Sequence, residues 1–128
     1  MTEGETAVHP LVGGWRLRTW VSIGDDGSET LPMGERPDGL LSYTADGTMI
    51  GIMSPGDRRR FATDDITGGT IDEQAAAFAT FIAYGGSYEL DGDRVTHRVE
   101  TSLFPNCHHT SRQWRLQHRS RTALRYLT

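Results

Sequence analysis

The sequence contains a single cysteine, Cys107, and no lysine. One cysteine excludes an intramolecular disulfide, and a chain of 128 residues is long enough to bury a hydrophobic core without that crosslink. The sequence also lacks an apolar run of the length and position that a membrane span or a signal peptide needs. We therefore expect a single domain that is cytoplasmic and has no membrane partner.

Acidic residues are absent from the last part of the chain. Residues 1–100 contain 8 arginines and 17 acidic residues, whereas residues 101–128 contain 5 arginines and no acidic residue. In this basic segment the arginines alternate with apolar residues such as Trp114 and Leu116, which is typical of a strand with one solvated face. The whole chain has a net charge of −4, and we expect no nucleic-acid partner, because such a partner requires a cluster of cations.

Motifs for cofactors and metals are missing as well. Gly13-Gly14 precedes a strand pattern and Gly68-Gly69 lacks a strand before it, so neither pair predicts a dinucleotide or phosphate loop. His108 and His109 follow Cys107, but neighbouring residues on a strand point in opposite directions and the spacing matches no zinc motif. We predict that the protein uses no cofactor and no metal.

The sequence does contain a series of alternating segments separated by Asp-Gly turns. Residues 1–9 show no period and are predicted to form a flexible tail, and residues 10–128 are predicted to form one domain. Residues 71–84 follow a helical period, and Thr70 with Glu73 fits a capping box. The predicted strands span residues 13–22, 29–33, 39–44, 48–53, 87–90, 94–103, 112–118 and 122–127.

Strands joined mainly by hairpin turns predict a closed antiparallel sheet, because closure removes the exposed edges. A barrel of about eight strands is wide enough to be filled by side chains or to hold one small ligand. The expected fold is therefore mainly β, an antiparallel barrel of about eight strands with one α-helix at about residues 71–84.

Residues 95–106 carry the most unusual chemistry. Alternation predicts that His97 lies on one face, in a mostly apolar row, and that Arg98 and Glu100 lie on the other. His97 is a candidate general acid or base, with a hydrogen-bonded core histidine as the alternative. Glu100 is a second candidate, and Arg98 would keep its carboxylate ionised. Alternation leaves open which face is inside, but a regular strand cannot direct both His97 and Glu100 into one cavity.

Aromatic, thioether and guanidinium groups supply further candidates. Tyr43 is the third predicted catalytic residue, because a phenol packs against a ligand while its hydroxyl donates a hydrogen bond. Methionines suit an adaptable apolar pocket, and an arginine beside a tryptophan can hold a planar or anionic ligand. The predicted ligand-binding residues are Trp15, Leu17, Met49, Met53, Tyr84, Tyr88, Arg98, Arg112 and Trp114. For each tyrosine, methionine and tryptophan, packing inside the barrel is the alternative.

Four blocks of the sequence, taken in order, carry a family resemblance. They are residues 11–17, 37–49, 73–88 and 95–106, and together they resemble bacterial lipocalin-like domain proteins. The resemblance implies a lipocalin-like antiparallel barrel with a central cavity. Related small barrels of natural-product pathways bind hydrophobic intermediates, and some act as cofactor-free cyclases or isomerases. The family often has a second histidine at the position of Arg98 and Trp-Val-Gly in place of residues 107–109, which implies a different substrate if these positions contact the ligand.

The leading hypothesis is a barrel that binds a hydrophobic small molecule and promotes a cofactor-free rearrangement in secondary metabolism. Cyclisation, isomerisation and dehydration are the reaction types that fit. The alternative is a non-catalytic small-molecule binding or carrier protein. A third hypothesis is a filled barrel whose outer surface recruits another protein, and the sequence leaves open whether the chain forms a homodimer.

Overall fold

The computed structural model describes residues 11–120 and 123–127, so the predicted tail at residues 1–9 lies outside the described residues. The described part of the chain contains eight strands, one α-helix and one short 3-10 helix. The strands are β1 (Gly13–Ile23), β2 (Glu29–Thr30), β3 (Pro37–Tyr43), β4 (Thr48–Pro55), β5 (Ile82–Asp91), β6 (Arg94–Ser102), β7 (Ser111–Ser120) and β8 (Ala123–Leu127). Helix α1 spans Ile71–Ala79 and the 3-10 helix spans Pro105–Cys107.

Seven of the strands form the wall of a barrel in the order β1-β3-β4-β5-β6-β7-β8, and β8 returns to pair with β1. Neighbours along this order are antiparallel, whereas the closing pair of β1 and β8 is parallel. This follows from the odd number of wall strands, because the first and the last of seven alternating strands run in the same direction. The short β2 pairs with Ser22 and Ile23 at the end of β1. The predicted barrel of about eight strands with one helix is confirmed.

Helix α1 is shorter than the sequence pattern predicts. Its start agrees with the prediction: the Thr70 hydroxyl accepts from the Glu73 N–H at 3.1 Å, and the Glu73 carboxylate accepts from the Thr70 N–H at 2.8 Å. The helix ends at Ala79, however, and residues 82–84 begin β5. The pair Gly85-Gly86, which looks like a helix terminator in the sequence, lies inside that strand.

Gly85-Gly86 marks a close approach between two strands. The register between β5 and β6 shifts between these two glycines, as in a β-bulge. A Cβ atom at position 86 would collide with the carbonyl oxygen of Arg98 and lie 2.9 Å from the backbone nitrogen of Glu100. Only glycine at position 86 lets the two backbones approach this closely. The glycine pair therefore serves the pairing of β5 with β6 and does not end the helix.

The inner face of the wall is packed with large side chains over much of its length. Trp15 is typical of this packing, since its ring is buried and its Nε1–H donates to the Leu11 carbonyl at 2.8 Å. The main cluster of buried residues is Leu11, Trp15, Leu17, Leu41, Tyr43, Met49, Met53, Tyr84, Tyr88, Val95, Val99, Cys107, Trp114 and Leu116. Three members of this cluster, Tyr84, Cys107 and Trp114, border a cavity.

Helix α1 and the segment before it lie beside the rim of the barrel, and no residue of α1 is buried. Arg58 connects this segment to the end of the helix, donating to the Thr80 hydroxyl at 3.2 Å and the Ala77 carbonyl at 2.9 Å. Its guanidinium also lies 5.0 Å from the ring centroid of Phe81, within cation–π range. Among the described residues, no helix has the length and apolar character needed to cross a membrane.

Candidate functional site

A cavity of about 660 Å³ lies between the barrel wall and helix α1. This volume is in the range of sites for small organic molecules. Its described apolar lining consists of Trp20, Phe78, Ala79, Phe81, Ile82, Ala83, Leu103 and Phe104. Its described lining residues that carry polar or sulfur groups are Ser22, Tyr84, Ser102, Cys107, Ser111, Arg112, Gln113 and Trp114.

Trp20 lines this cavity although simple alternation along β1 places it on the outer face. The register between β1 and β8 shifts between Leu17 and Thr19, and beyond the shift Trp20 and Ser22 line the cavity. The Trp20 ring packs edge-on against Trp114, with ring centroids 5.1 Å apart and planes at 62°. The two indoles form a continuous aromatic part of the cavity wall.

His97 is fully buried, with 0% of its surface exposed, on the inner face of β6. Both ring nitrogens are hydrogen-bonded to phenols: Nε2 lies 2.6 Å from the Tyr43 hydroxyl and Nδ1 lies 2.7 Å from the Tyr84 hydroxyl. The Trp114 Nε1–H in turn donates to the Tyr84 hydroxyl at 3.2 Å. These four side chains form one network that joins the buried imidazole to the cavity wall.

Burial keeps this network uncharged. It lowers the pKa of His97 from 6.5 to about 3, so the imidazole is neutral at physiological pH. Burial also raises the pKa of Tyr84, an effect that the hydrogen bond from Trp114 and the charge of Arg112 oppose. A neutral imidazole has one N–H donor and one acceptor nitrogen, so one of the two phenols donates to His97 and the other accepts from it.

A family model described as a lipocalin-like domain matches residues 12–127 of the chain. The chain belongs to the lipocalin-like domain family. The fold of this lipocalin-like domain, with its cavity, is consistent with small-molecule binding. No curated protein and no solved structure gives a significant match.

Of the residues predicted from the sequence, the lipocalin-like domain brings Tyr84, Arg112 and Trp114 together in the cavity wall. Two predicted catalytic residues, His97 and Tyr43, lie directly behind Tyr84 in the hydrogen-bonded network. The structure thus places three candidate groups, a phenol, a guanidinium and an indole, in the cavity wall, whereas His97 lies behind Tyr84.

Glu100 and Arg98 lie on the outer face of β6 and are exposed. Arg98 forms its ion pair with Glu89, across the β5–β6 hairpin, with an Nη2 to Oε2 distance of 3.3 Å. Such an exposed pair contributes little to stability. The two faces of β6 are therefore settled: the His97 face points into the barrel, and the predicted roles of Glu100 and Arg98 have no support from their position.

The other predicted ligand-binding residues belong to the packed part of the barrel. Trp15, Leu17, Met49 and Met53 are buried in the main cluster and are not among the described residues of the cavity wall. Tyr88 is also in this cluster, and its hydroxyl donates to the Thr44 carbonyl at 2.7 Å. For these five side chains the structure corresponds to the packing alternative.

The sequence pattern missed much of the apolar cavity wall. Phe78 follows the helical period of core residues, yet its side chain is 48% exposed and lines the cavity. Phe81, Leu103 and Phe104 lie in connecting segments just beyond α1 and β6, although the sequence pattern placed Phe81 in the helix and Leu103 in the strand. The available signal was the presence of aromatic residues in segments that connect strands, since connecting segments often carry binding residues.

The histidines next to Cys107 form a ring contact, with centroids of His108 and His109 3.9 Å apart. Within the described residues, no group of three or more histidine, cysteine, aspartate or glutamate side chains is placed to hold a metal ion. Cys107 itself is buried at the cavity wall, and its sulfur accepts from Arg112 Nη2 at 2.9 Å.

A ligand in the cavity should quench tryptophan fluorescence mainly through Trp20 and Trp114. We expect Trp20→Phe to remove a large part of the quenching seen on titration with an apolar ligand, because Trp20 lies in the wall. Trp15→Phe is the control, since Trp15 is buried in the main cluster away from the cavity. Equal quenching in both variants would show that the ligand binds elsewhere.

Proposed function

We propose that this lipocalin-like domain binds a largely apolar small molecule in the cavity and promotes a cofactor-free rearrangement of it. Isomerisation, cyclisation or dehydration, of the kind found in secondary metabolism, fits this proposal. The observation that carries it is the position of Tyr84, which lines the cavity and whose hydroxyl is hydrogen-bonded to both His97 and Trp114.

The network supports two hydrogen-bonding states of Tyr84. When the Tyr43 hydroxyl donates to Nε2 of His97, Nδ1–H donates to the Tyr84 oxygen, and the Tyr84 O–H is directed away from His97 as a donor to the ligand. When the Tyr84 hydroxyl donates to Nδ1 instead, its oxygen can accept a hydrogen bond from the ligand. Tyr84 is therefore suited to meet either a carbonyl or a hydroxyl group of the ligand.

The same arrangement supports acid–base chemistry without a cofactor. Tyr84 gives its proton to one atom of the bound molecule and takes a proton back from another atom, so the isomerisation leaves the protein unchanged. Between the two steps the phenolate oxygen accepts hydrogen bonds from Trp114 Nε1–H and His97 Nδ1–H, which are held in place before the reaction. Tyr84 is the proposed catalytic residue, and His97 and Tyr43 are positioning residues.

Tyr84→Phe should lower turnover at least about 100-fold, the usual contribution of a positioned acid or base, with little loss of binding. The bound molecule is identified by native mass spectrometry of the purified protein and returned to fresh protein in D₂O. Wild type should yield an isomer or a deuterated ligand, detected by its mass.

Tyr88→Phe is the matched control for this experiment. It removes one hydroxyl from the same strand, but that hydroxyl donates to the Thr44 carbonyl and Tyr88 is not among the described residues of the cavity wall. Wild-type turnover in Tyr84→Phe would rule out acid–base chemistry by this residue and leave the shape of the cavity as the source of any rate enhancement.

A non-catalytic binding or carrier protein is the second candidate. It is favoured by the pKa shifts, because burial keeps His97 unprotonated and makes the Tyr84 proton harder to remove. Neutral donors and acceptors of this kind hold a ligand without reacting with it. A carrier would release the bound molecule unchanged and free of deuterium after long incubation in D₂O.

A further inference from the structure

Arg112 lies on the inner face of β7, in the same row as Trp114 and Leu116. It stands directly opposite His97 in the register between β6 and β7, so its side chain leaves the sheet on the side of the barrel interior. Trp114 and Leu116 are buried, whereas Arg112 is exposed. The guanidinium therefore marks the open end of the row, where the cavity meets solvent.

The charge of Arg112 has no acidic partner in the described part of the chain. Three other arginines, Arg60, Arg98 and Arg115, each form an ion pair with a carboxylate. The hydrogen bond recorded for Arg112 goes to the sulfur of Cys107, which is a weak acceptor. Arg112 lines the cavity, and its recorded hydrogen bond uses only one of the five N–H donors of the guanidinium.

The described lining of the cavity contains no aspartate or glutamate, and Arg112 is its one charged residue. The guanidinium also acts on Tyr84: its charge favours the phenolate and opposes the larger effect of burial on the pKa of that phenol. A positive charge beside an apolar wall, with no acid to neutralise it, attracts an anion more strongly than it would in open solvent.

Resting on the proposed binding function, we propose that the ligand is an apolar organic acid whose carboxylate is bound by Arg112. The planar fork of a guanidinium matches the two oxygens of a carboxylate. The hydrocarbon part of the ligand lies against Trp20 and Trp114, which form the aromatic wall next to Arg112. With its carboxylate at Arg112 and its hydrocarbon part against the two tryptophans, the ligand would have the carbon atoms next to the carboxylate near Tyr84.

The test compares acids with amides of the same shape by isothermal titration calorimetry. The probes are decanoic acid with decanamide and biphenylacetic acid with its amide. Wild type should bind each acid at least about tenfold more tightly than its amide, as expected for a charge-assisted pair of hydrogen bonds. In Arg112→Gln this preference should disappear, while the affinity for the amides stays the same.

Arg115→Gln is the matched control, because it removes the same charge from the outer face of the same strand, where Arg115 pairs with Asp93. It should keep the full preference for the acids. Equal affinity of wild type for acids and amides, or a preference that survives in Arg112→Gln, would overturn the carboxylate proposal and leave the binding function standing. If neither an acid nor an amide binds, the binding function itself is contradicted.

Discussion

Lowering the pH from 7 to 5 is expected to destabilise the protein by an amount that depends on His97. The folded state holds this imidazole neutral, with a pKa of about 3 instead of 6.5, whereas the unfolded chain leaves it free to bind a proton. As the pH falls below 6.5 the unfolded state takes up a proton that the folded state does not, so the free energy of unfolding decreases. At higher pH both states are neutral at this residue and the effect is absent.

For His97 alone, the free energy of unfolding should fall by up to about 1.4 kcal/mol for each pH unit below the ordinary imidazole pKa. The loss continues towards pH 3, where the folded state also becomes protonated. The carboxylates whose pKa values are lowered by hydrogen bonds, among them Asp65 and Glu73, contribute at lower pH, because their ordinary values are 3.8 and 4.5. The interval between pH 6.5 and 5 therefore isolates the contribution of His97 from theirs.

Urea unfolding at a series of pH values measures this slope. His97→Gln should be less stable at pH 7, because the shape of the buried network changes, but its stability should depend much less on pH between 6.5 and 5. His108→Gln, an exposed histidine outside the network, should keep the wild-type slope. A slope that is unchanged in His97→Gln would mean that other groups cause the acid sensitivity.

Gly86→Ala is expected to destabilise the fold by about 3 kcal/mol or more. The added Cβ would collide with the carbonyl oxygen of Arg98, and backbone atoms cannot move aside as the end of a flexible side chain can. The only relief is to separate β5 from β6 at the bulge. This strain would also displace Tyr84, which lies two residues away on the same strand.

Gly14→Ala provides the control for Gly86→Ala. Gly14 is a strand glycine with no heavy atom within 4 Å of an added Cβ, so alanine there should leave stability unchanged or raise it by up to about 1 kcal/mol. Urea unfolding of both variants gives the comparison. If Gly86→Ala is as stable as Gly14→Ala, the bulge can relax and glycine is not required at position 86.

The strands, the capping box of α1 and the barrel class could be predicted because they depend on local patterns. Alternation identifies a strand, but it left open which face of β6 is inside, and the complete burial of His97 in the structure decides this. What local pattern could not supply is the effect of a neighbouring strand. The registers shift at Leu17/Thr19, where β1 pairs with β8, and at Gly85/Gly86, where β5 pairs with β6. Alternation along β1 alone did not place Trp20 in the cavity wall, and the helical period did not indicate that residues 82–84 belong to β5.

The candidate site was predictable only residue by residue. Its imidazole, phenols, indole and guanidinium are chemically recognisable in the sequence, and Tyr43, Tyr84, His97, Arg112 and Trp114 were all candidates. The hydrogen-bonded network that joins these side chains was not predictable from the sequence. His97 bonds to Tyr43 on β3 and to Tyr84 on β5, and such contacts between strands depend on how the barrel is assembled. The burial that makes His97 neutral is likewise a property of the assembled barrel, and no stretch of sequence contains it.

The parallel pairing of β1 with β8 links residues 16–21 to residues 123–127, so the wall is closed by two segments that lie far apart in the sequence. Contacts between such distant parts of a chain slow folding, because a large loop must be closed before they form. Until then β1 and β7 each present an unpaired edge to other chains. A chain that lacks residues 123–127 would expose two strand edges and be prone to aggregate.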